Sequence, residues 1–179
     1  MSNHRRALFA SSALTLAALA GCTALQAMTP QQIVTDASNA ATALDNMLVQ
    51  VAQQYPALIP PATAAMLHGD LMLAQQAASG LSSNLPADQS AGTVKKVEGY
   101  VNAVLTTLAA PPINGLIPAP FNQVVAAAAF VVPTLEAFAQ QYVKTVAASP
   151  AVAGAQMKFR AESPMTLAAA RAALARAAK

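Results

Sequence analysis

Apolar side chains return every three or four positions along four long stretches of this chain, and nowhere do they alternate for long enough to build a sheet. That spacing gathers them on one face of successive α-helices and leaves the opposite faces polar. Apolar residues make up 55% of the sequence and charged residues 9%, so the chain can bury a core and lacks the high charge of a disordered segment. Its 179 residues are one domain's worth of chain.

Prolines set the limits of the stretches. Thr29-Pro30-Gln31-Gln32 has the form of a capping box with proline at the first helical position, which predicts a helix from Pro30 to Gln54. Ile33, Ala37, Ala40, Leu44, Met47, Leu48 and Val51 form its inner stripe. A second helix is expected to begin after Pro60-Pro61 and run to about Ser79, stopped by Gly80, with Leu67, Leu71, Ala74, Ala78 and Leu81 inward. The polar stretch from Ser82 to Gly92 contains Pro86 and reads as a loop. A third helix, from Ala91 to Ala109, has the cleanest stripe, Val94, Val97, Val101, Val104, Leu105 and Leu108, with Lys95, Lys96, Asn102 and Thr106 pointing elsewhere.

Beyond a proline-rich loop from Ala110 to Pro120, the segment from Phe121 to Ser149 contains Pro133, yet its apolar residues keep one phase across it. Val124, Ala128, Val131, Leu135, Phe138, Ala139, Tyr142 and Val146 share a face, and Pro133 falls opposite with Asn122, Gln140 and Lys144. This predicts one bent helix with the proline toward solvent, where water replaces the missing hydrogen bond; two helices joined at Pro133 are the alternative. Pro150 to Glu162 reads as a linker. Ser163-Pro164 then opens an alanine-rich basic helix to Ala178, with little to bury and expected to project or dock loosely. The expected fold is all-α, an antiparallel up-down bundle of about four helices plus this basic C-terminal helix.

The N-terminal segment carries the most specific signal. His4, Arg5 and Arg6 precede an uncharged run from Ala7 to Ala20, an arrangement of charge and apolar length that predicts a cleavable export signal and is too short for a spanning helix. The run ends in Leu19-Ala20-Gly21-Cys22, which resembles the lipobox of bacterial lipoproteins. The resemblance covers the first 22 residues only. It implies recognition of Leu19, Ala20 and Gly21 by the signal peptidase, a diacylglycerol thioether on Cys22, cleavage before that cysteine and acylation of the new amino group. Several acyl chains hold a protein on a bilayer where one barely does. The division implied is a signal peptide over residues 1–21, a lipidated tether over 22–29, a bundle over 30–149, and a linker with the basic helix over 150–179.

Thr23, where an aspartate would favour retention in the inner membrane, resembles the outer-membrane sorting pattern of proteobacterial lipoproteins, which implies a site facing the periplasm. Arg5-Arg6-Ala7-Leu8-Phe9 also resembles the minimal twin-arginine export pattern, but two arginines are equally an ordinary signal charge. With Cys22 as the sole cysteine, no intramolecular disulfide can form.

Catalytic chemistry finds little support. His68 and Asp70 stand about 200° apart around a helix, so they cannot face one metal or substrate together, and His68 is expected at the bundle edge. Glu98 and Glu136 are the carboxylates that two helices can bring together, without a spacing that assigns an acid and a base. No phosphate loop, dinucleotide fingerprint or nucleophile elbow occurs. Gly99 to Leu135 has no charged residue; it is expected to form bundle core, with insertion in a bilayer as the lesser alternative because prolines divide it.

Lys158, Arg160, Arg171, Arg176 and Lys179 concentrate positive charge near the C-terminus. They are candidates for contact with anionic lipid or peptidoglycan, or simply for a solvated helix end. A formal net charge of +3 is too small for nucleic-acid binding. The function expected is that of a non-enzymatic envelope lipoprotein, without a cofactor beyond its covalent lipid, whose bundle has a structural role or binds an envelope protein. A carrier of apolar ligands and a membrane-active lysis-type lipoprotein are the alternatives.

Overall fold

The computed structural model describes residues 29–81, 87–111, 113, 116–142 and 150–179. The export signal, the lipobox with Cys22, the tether up to residue 28, part of the proline-rich loop and residues 143–149 lie outside them. The described residues are all-helical, with six helices in chain order: α1 (Pro30–Gln54), α2 (Pro61–Ser79), α3 (Ala87–Ala109), α4 (Phe121–Tyr142), α5 (Pro150–Glu162) and α6 (Leu167–Ala177).

Helix α1 starts at the expected capping box. The Gln32 backbone N–H donates to Thr29 Oγ1 at 3.2 Å, and the Thr29 N–H donates to Gln32 Oε1 at 2.9 Å. These bonds satisfy two donors that a helix start otherwise leaves open. Helix α2 ends at Gly80, but that residue keeps right-handed helical angles. The stop therefore does not use the left-handed conformation that makes glycine a usual terminator.

The inner stripes expected in α1, α2 and α3 are all buried. Around α4, Ala128, Val131, Leu135, Phe138 and Ala139 are buried and Val124 is half-buried. The helix is unbroken through Pro133, which is half-buried rather than fully in water. Burial also extends well beyond the stripe: Val125, Ala126, Ala127, Ala128 and Ala129 are consecutive and all closed off from solvent. The reason is that α4 has neighbours on every side, touching α1, α3, α5 and α6.

Three expectations from the sequence are corrected. Helix α3 begins at Ala87, four residues before Ala91, immediately after the proline that had argued for a loop. Proline is compatible with a helix start, so its presence in the sequence does not require the loop to extend to Gly92. Residues 150–162 are helix α5 rather than a linker. Among its described side chains the buried ones are Ala155, Gln156 and Phe159, too sparse to register as a stripe. Helix α6 begins after Thr166, whose hydroxyl accepts the Ala169 N–H at 3.2 Å, and not at Ser163-Pro164. It is docked, with Ala170 and Leu174 fully buried in contact with α1 and α4.

Each of α1 to α4 touches the next, α4 also touches α1, and α1 meets α3 across the middle. Helix α5 lies against α3 and α4, and α6 lies against α1 and α4. Leucines at 44, 67, 71, 105, 108, 135 and 174 supply the bulk of the core, and alanines let the helices approach closely between them. Phe121–Gln140, with 20 residues and a mean hydropathy of 1.4, is by length and composition able to cross a membrane, a length that the uncharged portion ending at Leu135 does not reach alone. Here it lies against four other helices.

Candidate functional site

Three interhelical polar contacts and one surface cleft hold the chemically versatile side chains. The first contact joins α1 to α6. Asp36 is 4% exposed, and Arg171 Nε lies 2.9 Å from its Oδ1 and 2.8 Å from its Oδ2. Burial raises the Asp36 pKa above its ordinary value, while the hydrogen bond and charge of Arg171 pull it back down. Arg171 was a candidate for an anionic surface; the structure instead turns it inward onto a buried carboxylate.

The second contact joins α1 to α2. His68 Nδ1 lies 2.6 Å from Asp45 Oδ1, and Gln75 Nε2 donates to Asp45 Oδ2 at 3.2 Å. The His68 side chain is 49% exposed, as expected for the bundle edge, and its partner is Asp45 rather than Asp70. Among the described residues no group of three or more His, Cys, Asp or Glu could hold a metal ion.

The third contact lies among α3, α4 and α5. Asn102 is buried, not turned away from the core, because α5 covers the side of α3 that the sequence leaves polar. Its Nδ2 donates to Glu98 Oε1, and its Oδ1 accepts from Gln156 Nε2 at 2.8 Å. Burial raises the Glu98 pKa, and the charge of Glu136 raises it further, against the lowering effects of Asn102 and Lys95. Glu136 in turn accepts a 3.0 Å bond from Gln140 Nε2. The charge of Glu136 on α4 thus reaches Glu98 as a repulsion, while the bond between Asn102 and Gln156 ties α3 to α5.

The basic residues share a stretch of sequence but not one surface. Lys158 and Arg160 are on α5; Arg171 and Arg176 are on α6, followed by Lys179, and no contact joins α5 to α6 among the described residues. Arg160 stacks over the Phe130 ring at 4.6 Å, and Lys158 is half-buried. Arg176 and Lys179 are exposed.

Arg176 borders a cleft of about 300 Å³ between α1, the start of α4 and the end of α6. Its position follows from helix lengths. Arg171 meets Asp36 and the Ala177 carbonyl accepts from Asn46 Nδ2 at 2.8 Å, so α6 runs in the same direction as α1. It stops beside Asn46, whereas α1 continues to Gln54. The groove that α6 fills is therefore left open beyond its last turn. The sequence does not reveal this cleft, because it leaves the C-terminal helix projecting or only loosely docked.

Elsewhere, Met66, Met72 and Leu73 on α2 are exposed, and among the described residues α2 packs against α1 and α3. Comparisons with protein-family models, with curated proteins and with solved structures find no match to this chain.

Proposed function

We propose that this protein is a non-enzymatic envelope lipoprotein, anchored through lipid on Cys22, whose helices form an antiparallel up-down bundle with a structural or protein-binding role. The observation that carries the reading is Leu19-Ala20-Gly21-Cys22 at the end of an apolar run that follows Arg5 and Arg6. The start of α1 at Thr29 supports it. A tether of residues 23–28 reaches roughly 20 Å at full extension, enough to seat a folded domain next to a bilayer. Signal peptidase would recognise Leu19, Ala20 and Gly21.

Titratable groups support the absence of catalysis in this reading, because Asp36, Asp45 and Glu98 all engage side chains that join one helix to another or brace one helix. Exposed apolar residues on α2 favour binding of an envelope protein. Arg160 and Lys179 are the residues through which the domain would meet anionic lipid or peptidoglycan, while nucleic acid is no part of the proposal. Thr23 favours the outer membrane, facing the periplasm.

Metabolic labelling with an alkyne fatty acid tests the anchor. The wild-type chain is expected to incorporate label and to lose its leader, and Cys22→Ser to remain an unlabelled precursor. Normal labelling and processing of Cys22→Ser would overturn the proposal. Membrane fractionation tests the address: Thr23→Asp is expected to move the protein to the inner membrane.

A further inference from the structure

The cleft beyond the end of α6 has a chemical polarity of its own. Its floor is apolar: Met47 is 3% and Phe121 7% exposed, Ala43 is closed off, and Val124 and Ala173 are half-buried. Its border has one full charge, Arg176, beside the amides of Asn46, Gln50 and Gln123. Among the described residues no carboxylate pairs with Arg176, whereas Arg171 five residues earlier is held by Asp36.

We propose that this cleft binds a short aliphatic carboxylate, with its chain along Met47, Phe121 and Val124 and its head group at Arg176. An apolar trough closed at one side by a single guanidinium suits a ligand with one anionic end and a hydrocarbon body. Guanidinium offers a carboxylate two parallel N–H donors in one plane. A phosphate dianion is a poorer fit, because one cation leaves half of its charge unmatched. Size limits the ligand as well: about 300 Å³ is at the lower end of ligand pockets, which suits a chain of roughly six to eight carbons. The first N–H groups of α4 do not compete as the anion site, since Asn122 and Gln123 already donate to the Pro118 and Pro120 carbonyls at 3.2 and 3.0 Å. This binding role is independent of the lipid anchor proposed above.

Octanoate and octanol, equal in chain length and different in charge, are the probes. Each is titrated into the full chain carrying Cys22→Ser, with methyl NMR reporting on Met47, Ala43 and Ala173. Octanoate is expected to shift these methyls saturably and to bind about fivefold more tightly than octanol, the scale of one exposed charge contact. Arg176→Gln is expected to erase that preference while leaving octanol binding and the circular dichroism spectrum unchanged. Ala173→Leu, which fills the cleft, is expected to weaken both ligands. The proposal is overturned if neither ligand shifts these methyls saturably at concentrations up to about 5 mM, near the weak limit of specific sites. It is equally overturned if acid and alcohol bind alike to the unsubstituted cleft, or if the preference for acid survives Arg176→Gln.

Discussion

Replacing Arg171 with methionine isolates the cost of an unpaired buried charge in this fold. Methionine keeps much of the aliphatic length that packs α6 on α1 and removes the guanidinium that lies within 2.9 Å of both Asp36 oxygens. Asp36 is 4% exposed and has no other partner among the described residues, so its carboxylate would remain buried without a counter-charge. Breaking such a pair costs 3–5 kcal/mol, and about 3 kcal/mol is expected here because the Arg171 side chain is 29% exposed and admits water.

The pH dependence supplies an independent check. Asp36 in the folded chain already holds its proton more tightly than its ordinary value of 3.8, because burial outweighs the pull of Arg171. Folding therefore takes up a proton in the window between the ordinary and the raised value, and stability from this group rises as pH falls through the raised value. Without Arg171 only burial remains, so the raised value climbs further and acidification recovers more stability. Urea unfolding followed by circular dichroism at about pH 7 and about pH 5 reads both effects. Arg171→Met should lose its 3 kcal/mol at the higher pH and regain part of it at the lower. Asp36→Leu combined with Arg171→Met should be markedly more stable than Arg171→Met alone. A loss below about 1 kcal/mol at neutral pH, the scale of an exposed pair, would refute the reasoning.

Glu98→Gln should raise stability at neutral pH, since it removes the repulsion from Glu136 and keeps an acceptor for Asn102. It should also flatten the gain on acidification that the raised Glu98 contributes, and an unchanged pH profile would count against the network. Val101→Asp places a carboxylate at a position with no exposure and should cost more than about 3 kcal/mol, visible as loss of the cooperative urea transition. Pro133→Ala restores a backbone donor inside a continuous helix and should stabilise the protein by about 1 kcal/mol; destabilisation would show that the proline ring is needed for packing.

The helical class and the inner faces of α1, α2 and α3 were legible because large apolar residues such as Val97, Val101 and Leu108 repeat with the period of a helix and meet a single core. Helices α5 and α6 were not, for a different physical reason in each. Among the described side chains of α5 the buried ones are Ala155, Gln156 and Phe159, and an amide among these inward residues erases the contrast that periodicity depends on. Helix α6 offers little to bury because alanine counts for little in area; docking comes from Ala170 and Leu174 and from the Arg171–Asp36 pair, which joins residues far apart in sequence. Asn102 shows the same limit from the other side. It reads as a surface residue until α5 covers it. The cleft at Arg176 depends on where α6 stops relative to α1, and that register is a property of three dimensions.

The unbroken run from Val125 to Ala129 gives this protein an inverted mutational sensitivity. In a leucine-filled interior the damaging change is truncation, which opens a void. At Ala126, Ala127, Ala128 and Ala129 only a methyl group remains to remove, and all four are buried in a helix that packs against four others. Each added methylene must push a backbone, at a cost of about 1–3 kcal/mol per substitution. The innermost helix thus has a steric ceiling, and the room for sequence drift lies in the long side chains of its partners.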